Sequence, residues 1–263
     1  MENITTDYPY EYKANLHLHS LLSDGAYRVN ELVRIIQGST FDIVSLTDHN
    51  EIRNSLIFQK NIKDRIVILG AEITTSDFME VLVYFKNRDD LWVFFETFIR
   101  NRRRSLRGTY LKTDITGFLD KIKDYDTLLG VPHPFGTKGL VRRLYKRNLS
   151  TQRILTILRE FDFYEIANPT KSEKNNNLSY EWFSKNTPDL YPTGSSDLHS
   201  IRSSLSLAGT VVKSKNVLTL DSFFSLIKSR SRDILFLPYG RSLSRMQRGL
   251  HHLCSVINYF RRG

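Results

Sequence analysis

Short apolar runs alternate with amphipathic stretches along most of this 263-residue chain, and that alternation is the feature that most restricts its fold. Strand-like runs cover residues 14–19, 41–47, 65–74, 80–85, 127–133, 161–168 and 189–197, with weaker runs at 206–212 and 234–237. Helical candidates lie near residues 28–37, 89–106, 114–124, 150–160, 174–186 and 221–230. Strands that alternate with helices predict βαβ units and a parallel sheet. About seven such repeats favour an α/β fold closed into a βα barrel, which gathers the carboxyl ends of its strands on one face.

Composition excludes several other protein classes. Hydrophobic residues make up 40% and charged residues 25%, which is typical of a globular protein and excludes wholesale disorder or a coiled-coil rod. No run approaches the roughly 18 apolar residues of a membrane span, so we expect no membrane association. Cys254 is the only cysteine and the first residues lack the pattern of a secretory signal, so we expect a cytoplasmic protein.

The net charge of +10 favours an anionic partner, although many basic proteins bind no polyanion specifically. Eight basic and two acidic side chains lie in the last 44 residues. Residues 241–262 form one predicted amphipathic helix with an apolar stripe and three arginines on another face. This helix either packs on the barrel or binds a protein partner or polyanion. We therefore expect a barrel over residues 1–215 and a basic helical extension over residues 216–263.

Polar clusters follow five of the strand-like runs. The side chains are His17 and His19 with Asp24, Asp48 with His49, Glu72, His133, and Asp197 with His199. Residues two apart in a strand share a face, so His17 and His19 can bind one ion. Each cluster alone is also compatible with ordinary loop residues. Together, five histidines and the carboxylates of Asp24, Glu72 and Asp197 exceed the four ligands of one tetrahedral ion, which predicts two or three divalent ions.

The ordered motifs HLHS…SDG, TDH, AEITT, PHP and SSDLH resemble those of the PHP family, the polymerase and histidinol phosphatase domain. The resemblance runs from Asn15 to about Val212. It implies a distorted seven-stranded βα barrel with two or three divalent ions at its mouth. Mixed nitrogen and oxygen ligands without thiolate suit manganese, zinc or iron. By motif, one ion takes His17, His19, Glu72 and Asp197, a second shares Glu72 and uses His133, and a third takes Asp24, His49 and His199. The family segment that precedes the last motif is matched by Asn168 and its neighbours.

One position departs from the family. The strand after Glu72 usually carries a histidine that completes the second ion site, but here it has Glu80. Two interpretations of Glu80 stay open at this stage: an oxygen ligand, or an exposed strand residue.

Adjacent divalent ions acidify water and clamp phosphoryl oxygens, so the sequence predicts a metal-dependent phosphoesterase that uses a metal-activated hydroxide. We expect His133 or His199 to protonate the leaving oxygen where they are not committed to metal. Arg202 either contacts a substrate phosphate or pairs with a nearby acid, and Asp48 is expected to orient a ligand imidazole.

The substrate has three candidate classes. The basic runs at residues 100–107 and 138–147, with the tail, favour a nuclease or nucleotide phosphoesterase acting on nucleic acid. A small-molecule phosphomonoesterase of the histidinol phosphatase type would need a closed pocket and only one or two cations. The third alternative is a module that is active only within a larger complex.

Overall fold

The computed structural model describes residues 7–102, 110–186, 189–200 and 202–248. Nine strands form one sheet: β1 (Tyr10–Asn15), β2 (Ile43–Leu46), β3 (Ile66–Thr74), β4 (Glu80–Phe85), β5 (Thr127–Val131), β6 (Phe163–Ala167), β7 (Tyr191–Gly194), β8 (Ala208–Ser214) and β9 (Ile234–Gly240). The α-helices are α1 (Val29–Gln37), α2 (Arg53–Asn61), α3 (Arg88–Phe94), α4 (Ile115–Ile122), α5 (Leu140–Lys146), α6 (Thr151–Leu158), α7 (Glu173–Asn186) and α8 (Leu220–Lys228). A π-helical turn and a 3₁₀ turn continue α3 to Arg102, and a 3₁₀ turn spans Arg202–Ser206.

Strand direction determines which residues reach the site. The sheet order is β7-β6-β5-β4-β3-β2-β1-β8-β9. Strands β1, β2, β3, β5, β6, β7 and β9 share one direction, whereas β4 and β8 run antiparallel to their neighbours. The carboxyl ends of these seven strands therefore lie at one edge, together with the amino ends of β4 and β8.

The sheet curls into a nearly closed barrel. Beyond β1 and β7, the Leu198 carbonyl accepts a hydrogen bond from His19 N–H at 3.0 Å, which joins the two segments at the carboxyl edge. Lower down, Gly194 N–H donates to Thr210 Oγ1 of β8 at 2.9 Å. A Cβ at Gly194 would lie 2.6 Å from the Gly209 carbonyl oxygen, so only glycine permits this approach.

Alternate residues of the strands fill the barrel interior. Ile43, Ile68 and Leu82 point inward, whereas the residues that follow them pack beneath the outer helices. Helix α8 packs Phe223 and Phe224 into this interior. An apolar barrel interior thus lies beneath the polar side chains of the carboxyl edge.

The structure changes several expectations. The strand count is nine rather than seven, because both of the weaker runs form strands and β8 and β9 extend the sheet beyond β1. Helices α2 and α5 were not predicted. Of the predicted helix 89–106, the part up to Arg102 is α3 followed by the two irregular turns, and the remainder lies outside the described residues. Residues 216–240 contribute β9 to the same sheet and α8 to the barrel interior, and the domain boundary at 215 stays a prediction.

The predicted tail helix falls largely outside the described residues. Within them, residues 245–248 are helical and Leu243 is buried, its N–H donating to the Pro169 carbonyl at 2.8 Å. The basic amphipathic helix over 241–262 is therefore not confirmed. Across the part of the chain that the structure describes, no helix is both long and apolar enough to cross a membrane.

Candidate metal centre

The barrel brings all eight of the predicted ligands together at its carboxyl edge. The first set, called the inner group below, comprises His17, His19, Glu72 and Asp197, and every member is buried. The Nε2 atoms of His17 and His19 lie 2.9 Å apart. Each lies 3.4 Å from Glu72 Oε2, and they are 3.5 and 3.3 Å from Asp197 Oδ1. Four potential ligand atoms thus face one point.

A second set, the hairpin group, comprises His49, Glu80 and His133 and borders the β3–β4 turn. His133 Nε2 lies 3.3 Å from Glu72 Oε1 and 3.6 Å from Glu80 Oε2. His49 Nδ1 lies 3.1 Å from Glu72 Oε2 and 3.7 Å from Glu80 Oε1. Glu72 therefore connects the hairpin group to the inner group through both of its oxygens.

A third set, the outer group, consists of Asp24, His49 and His199. His199 Nε2 lies 3.1 Å from Asp24 Oδ1, and His49 Nε2 lies 3.6 Å from Asp24 Oδ2. The loop that carries Asp24 is held by Asp48, whose carboxylate accepts hydrogen bonds from the hydroxyls of Ser20 and Ser23 at 2.5 and 2.6 Å. These bonds of Asp48 thus brace the loop, and its expected role in orienting an imidazole stays a prediction.

Glu80 is a buried member of the site, so its interpretation as an exposed strand residue is wrong. Because β4 runs antiparallel to β3 and β5, its first residue lies beside the last residues of its neighbours. Glu80 Oε2 faces His133, and Oε1 accepts a hydrogen bond from Lys138 Nζ at 2.6 Å. One carboxylate oxygen is thus available to an ion while the other binds a lysine.

Sequence reasoning missed Glu165 and Lys171. Glu165 Oε1 lies 3.2 Å from His17 Nδ1, and its Oε2 accepts the backbone N–H of His133 at 2.7 Å. Lys171 Nζ donates to Asp197 Oδ2 at 3.0 Å. A carboxylate within the apolar strand β6 was the available signal for Glu165, because a buried acid needs partners.

Asn168 lies where the resemblance placed the segment before the last motif. Its Nδ2 donates to Glu165 Oε2 at 2.8 Å and to Asp197 Oδ2 at 3.1 Å. Thr170 Oγ1 donates to the same Asp197 oxygen at 2.8 Å. These bonds orient Asp197 so that Oδ1 faces the imidazoles.

The backbone is strained at two of the candidate ligands. His133 and Asp197 have φ angles of 28° and 46°, in the left-handed region that side-chain-bearing residues rarely adopt. Such residues persist where the surrounding structure determines them, and they concentrate at functional sites. Arg202 begins the 3₁₀ turn after His199, and its side chain lies outside what the structure describes.

Burial and charge shift the proton affinities of the imidazoles in opposite directions. Burial alone would lower the pKa of His17, but Asp197 and Glu72 raise it well above its usual value. Burial and a neighbouring imidazole lower the pKa of His19 to about 3. Burial opposes the shift at His199, yet two adjacent carboxylates raise its pKa to about 9. In the metal-free protein the cluster therefore holds protons that a bound cation would displace.

The donor set fits divalent metal ions. Among the described residues, the buried atoms His49 Nδ1 and Glu72 Oε1 have no aligned hydrogen-bond partner, although buried polar atoms normally have one. Histidine and carboxylate residues form four overlapping groups, and within each group the ligand atoms lie within 4.8 Å of one another. Mixed imidazole and carboxylate ligands without thiolate suit manganese, zinc or iron.

Comparison with known proteins identifies the family. A profile of the PHP domain matches residues 15–164, more than half of the chain. The chain belongs to the PHP domain family. A comparison with curated proteins finds no match.

Solved structures share the fold of this PHP domain at low identity. A two-domain protein from Bacteroides vulgatus, containing a predicted PHP-like metal-dependent phosphoesterase, is 16% identical with a TM-score of 0.57, covering 97% of this chain and 71% of that chain. The lesion-specific endonuclease Q from Pyrococcus furiosus is 14% identical with a TM-score of 0.62, covering 87% of this chain and 58% of its own. An amidohydrolase from Chromobacterium violaceum with bound sulfate is 14% identical with a TM-score of 0.53, covering 84% and 97%. This PHP domain thus spans little more than half of endonuclease Q.

Proposed function

We propose that this PHP domain is a metal-dependent phosphoesterase that hydrolyses phosphodiester bonds in nucleic acid. The observation that carries the proposal is the convergence of nine imidazole and carboxylate side chains on one edge of the barrel, with two lysines bound to their outer oxygens. Divalent ions bound there would acidify water and neutralise charge on phosphoryl oxygens.

The ligands are assigned by group. The inner group would hold one ion, Glu72 with Glu80 and His133 would hold a second, and the outer group, which includes His49, would hold a third. His133 and His199 are assigned here as ligands, since each has a ring nitrogen within 3.3 Å of a ligand carboxylate. Manganese, zinc and iron all suit this set.

Lys138 and Lys171 bind the substrate phosphate. Their side chains are 41% and 25% exposed, although each Nζ contacts a buried carboxylate. An ammonium carries three N–H donors, so each lysine can bind its carboxylate and a phosphate oxygen together. The two lysines approach from different segments, one before α5 and one before α7, and so can hold a phosphate from two sides.

Nucleic acid is favoured over a small phosphomonoester by the surface that leads away from the site. Helix α5 begins two residues after Lys138 and carries Arg142, Arg143 and Lys146. No ion pair joins these three side chains to any described residue, whereas Arg147 binds Asp77 at 2.9 Å. A row of cations beside the reaction centre suits a polymer with successive phosphates. The shared fold with endonuclease Q supports the same substrate class.

The test is a substrate panel combined with elemental analysis. We expect the full chain with Mn²⁺ to cleave single-stranded DNA or RNA and to leave phosphomonoesters intact, with binding that weakens steeply as salt rises. His17→Ala/His19→Ala should remove bound metal and activity, while the matched histidine pair His251→Ala/His252→Ala should keep both. Activity that survives the first double variant would overturn the mechanism. If the protein released phosphate from monoesters and cleaved no nucleic acid, its substrate class would be a small phosphomonoester instead.

A further inference from the structure

Phe78 is an exposed aromatic residue in a strained turn at the rim of the candidate metal centre. It lies between β3 and β4, its side chain is 42% exposed, and its φ angle is 58°. A bulky residue in the left-handed region is a genuine outlier. The turn is held by Thr75, whose Oγ1 accepts from Met79 N–H at 3.2 Å and donates to the Met79 carbonyl at 3.0 Å. The fold therefore maintains Phe78 in this strained position.

Two observations place Phe78 near the site. Phe78 precedes Glu80 by two residues, so their Cα atoms lie at most about 7.6 Å apart. The backbone N–H of Glu80 donates to the Lys138 carbonyl at 3.1 Å. The turn is thus tied to the segment that carries one of the phosphate-binding lysines.

A cation and a second aromatic ring flank Phe78. The Arg143 guanidinium lies 5.8 Å from the centroid of the Phe78 ring, and the Tyr110 ring lies 5.1 Å away, tilted by 49°. Arg143 Nε donates to the Thr137 carbonyl at 3.0 Å, which holds Arg143 beside Lys138. Aromatic rings next to arginines are the elements on which proteins stack single-stranded bases and bind the adjoining phosphates.

We propose that Phe78 is a stacking site for one unpaired base of the nucleic-acid substrate, with Arg143 binding the neighbouring phosphate. This inference rests on the proposed function and adds to it that the base next to the reacting phosphate is out of a duplex. The reason is that a paired base has both of its faces covered by its neighbours, so Phe78 can reach only a single-stranded or extruded nucleotide. The cations of α5 favour this occupant over an apolar peptide, which would leave them without phosphates.

The experiment measures binding by fluorescence anisotropy with the full metal-loaded chain. The probe is a labelled single-stranded oligonucleotide with phosphorothioate linkages, which resist hydrolysis. Phe78→Ala should weaken binding about tenfold, since stacking on an aromatic side chain contributes strongly for each base. Phe78→Tyr should bind as the unchanged protein does. Trp92→Ala is the matched control, because Trp92 is 45% exposed and lies on α3, which follows the opposite end of β4.

A second probe tests for the base itself. Oligonucleotides with one abasic position, moved along the strand, should include a position at which binding to the unchanged protein weakens about tenfold and binding to Phe78→Ala does not change further. Equal losses in both proteins at every position would overturn the inference, as would unaltered binding to Phe78→Ala. Cleavage of the ordinary oligonucleotide in those cases would leave the proposed function intact. If binding depended on the base but the ordinary oligonucleotide were not cleaved, the proposed hydrolysis would be rejected and the stacking site would be kept.

Discussion

The inner group and the hairpin group differ in how the protein supports them. In the inner group, His17 Nδ1 faces Glu165 at 3.2 Å, and Asp197 Oδ2 accepts hydrogen bonds from Asn168, Thr170 and Lys171. In the hairpin group, His133 Nε2 faces Glu72 and Glu80, and its other ring nitrogen, Nδ1, has no aligned hydrogen-bond partner among the described residues. Outer partners orient ligands and raise metal affinity. We therefore expect the inner group to be organised before an ion binds, and the hairpin group to depend on an ion for its organisation.

Glu80 strengthens this contrast. Its Oε1 lies 3.7 Å from His49 Nδ1 and also binds Lys138 at 2.6 Å, so the lysine occupies a carboxylate oxygen that faces the group. In the inner group, Lys171 binds the Asp197 oxygen that points away from the imidazoles. We therefore expect the inner group to bind its ion more tightly than the hairpin group does.

The largest effect is expected at Glu72, which belongs to the inner group and also faces His49 and His133 of the hairpin group. Glu72→Gln keeps the shape and removes the charge that faces His17, His19 and His133. Bound metal should fall to near zero, and hydrolysis should fall by more than the roughly 10–100-fold expected from an outer partner. Elemental analysis and oligonucleotide cleavage measure both, with the exposed Glu181→Gln as the control. Retention of the full metal content would show that the groups do not depend on a shared carboxylate.

Glu80→Gln separates the two groups. It should remove about one ion for each chain while the inner ion remains, and activity should fall roughly 10–100-fold. Titration with Mn²⁺ followed by elemental analysis counts the ions. Loss of every ion in this variant would mean that the inner and hairpin groups bind their ions as one cooperative unit and are not organised separately.

Glu165→Gln tests the support of the inner group. The variant keeps an oxygen toward His17 but removes its negative charge, so the affinity of the inner ion should fall about tenfold. The number of ions at saturating metal should not change. Competition with a chelator measures the affinity, and an unchanged value would show that Glu165 contributes only to packing.

The smallest effect is expected at Asp162, which precedes β6 at the opposite end of the barrel from both groups. Burial raises its pKa, against the hydrogen bond from Leu129 N–H and the charges of Lys228 and Arg230. The native state therefore binds this proton more tightly than the unfolded chain does, so the group's contribution to stability is present at low pH and is lost as pH rises through the raised pKa.

Asp162→Asn should remove the pH dependence that this group gives to the free energy of unfolding, because an amide does not titrate. The amide oxygen can still accept the hydrogen bond from Leu129 N–H. Urea unfolding between pH 3.5 and 7 compares the two proteins, and the variant should gain relative stability as pH rises. Metal content should not change. A relative gain on acidification would contradict the direction of the pKa shift.

Local pattern in the sequence determined the nine strand-like segments and the five polar clusters that follow them. Alternation of apolar residues is visible within a few residues, and each candidate ligand ends such a run. The same information predicted an α/β barrel, and the resemblance to the PHP family predicted the approach of His17 to Asp197. It did not predict α5, whose basic face lies beside the site.

Only the tertiary structure decided the surroundings of these ligands. The antiparallel direction of β4 brings Glu80 into the site, and the closure of the barrel places Lys171 on Asp197 and Glu165 on His17. These contacts join segments far apart in the chain, and they depend on strand order and direction. The apolar periodicity of one segment does not indicate strand order or direction, because it indicates only which face of that segment is buried.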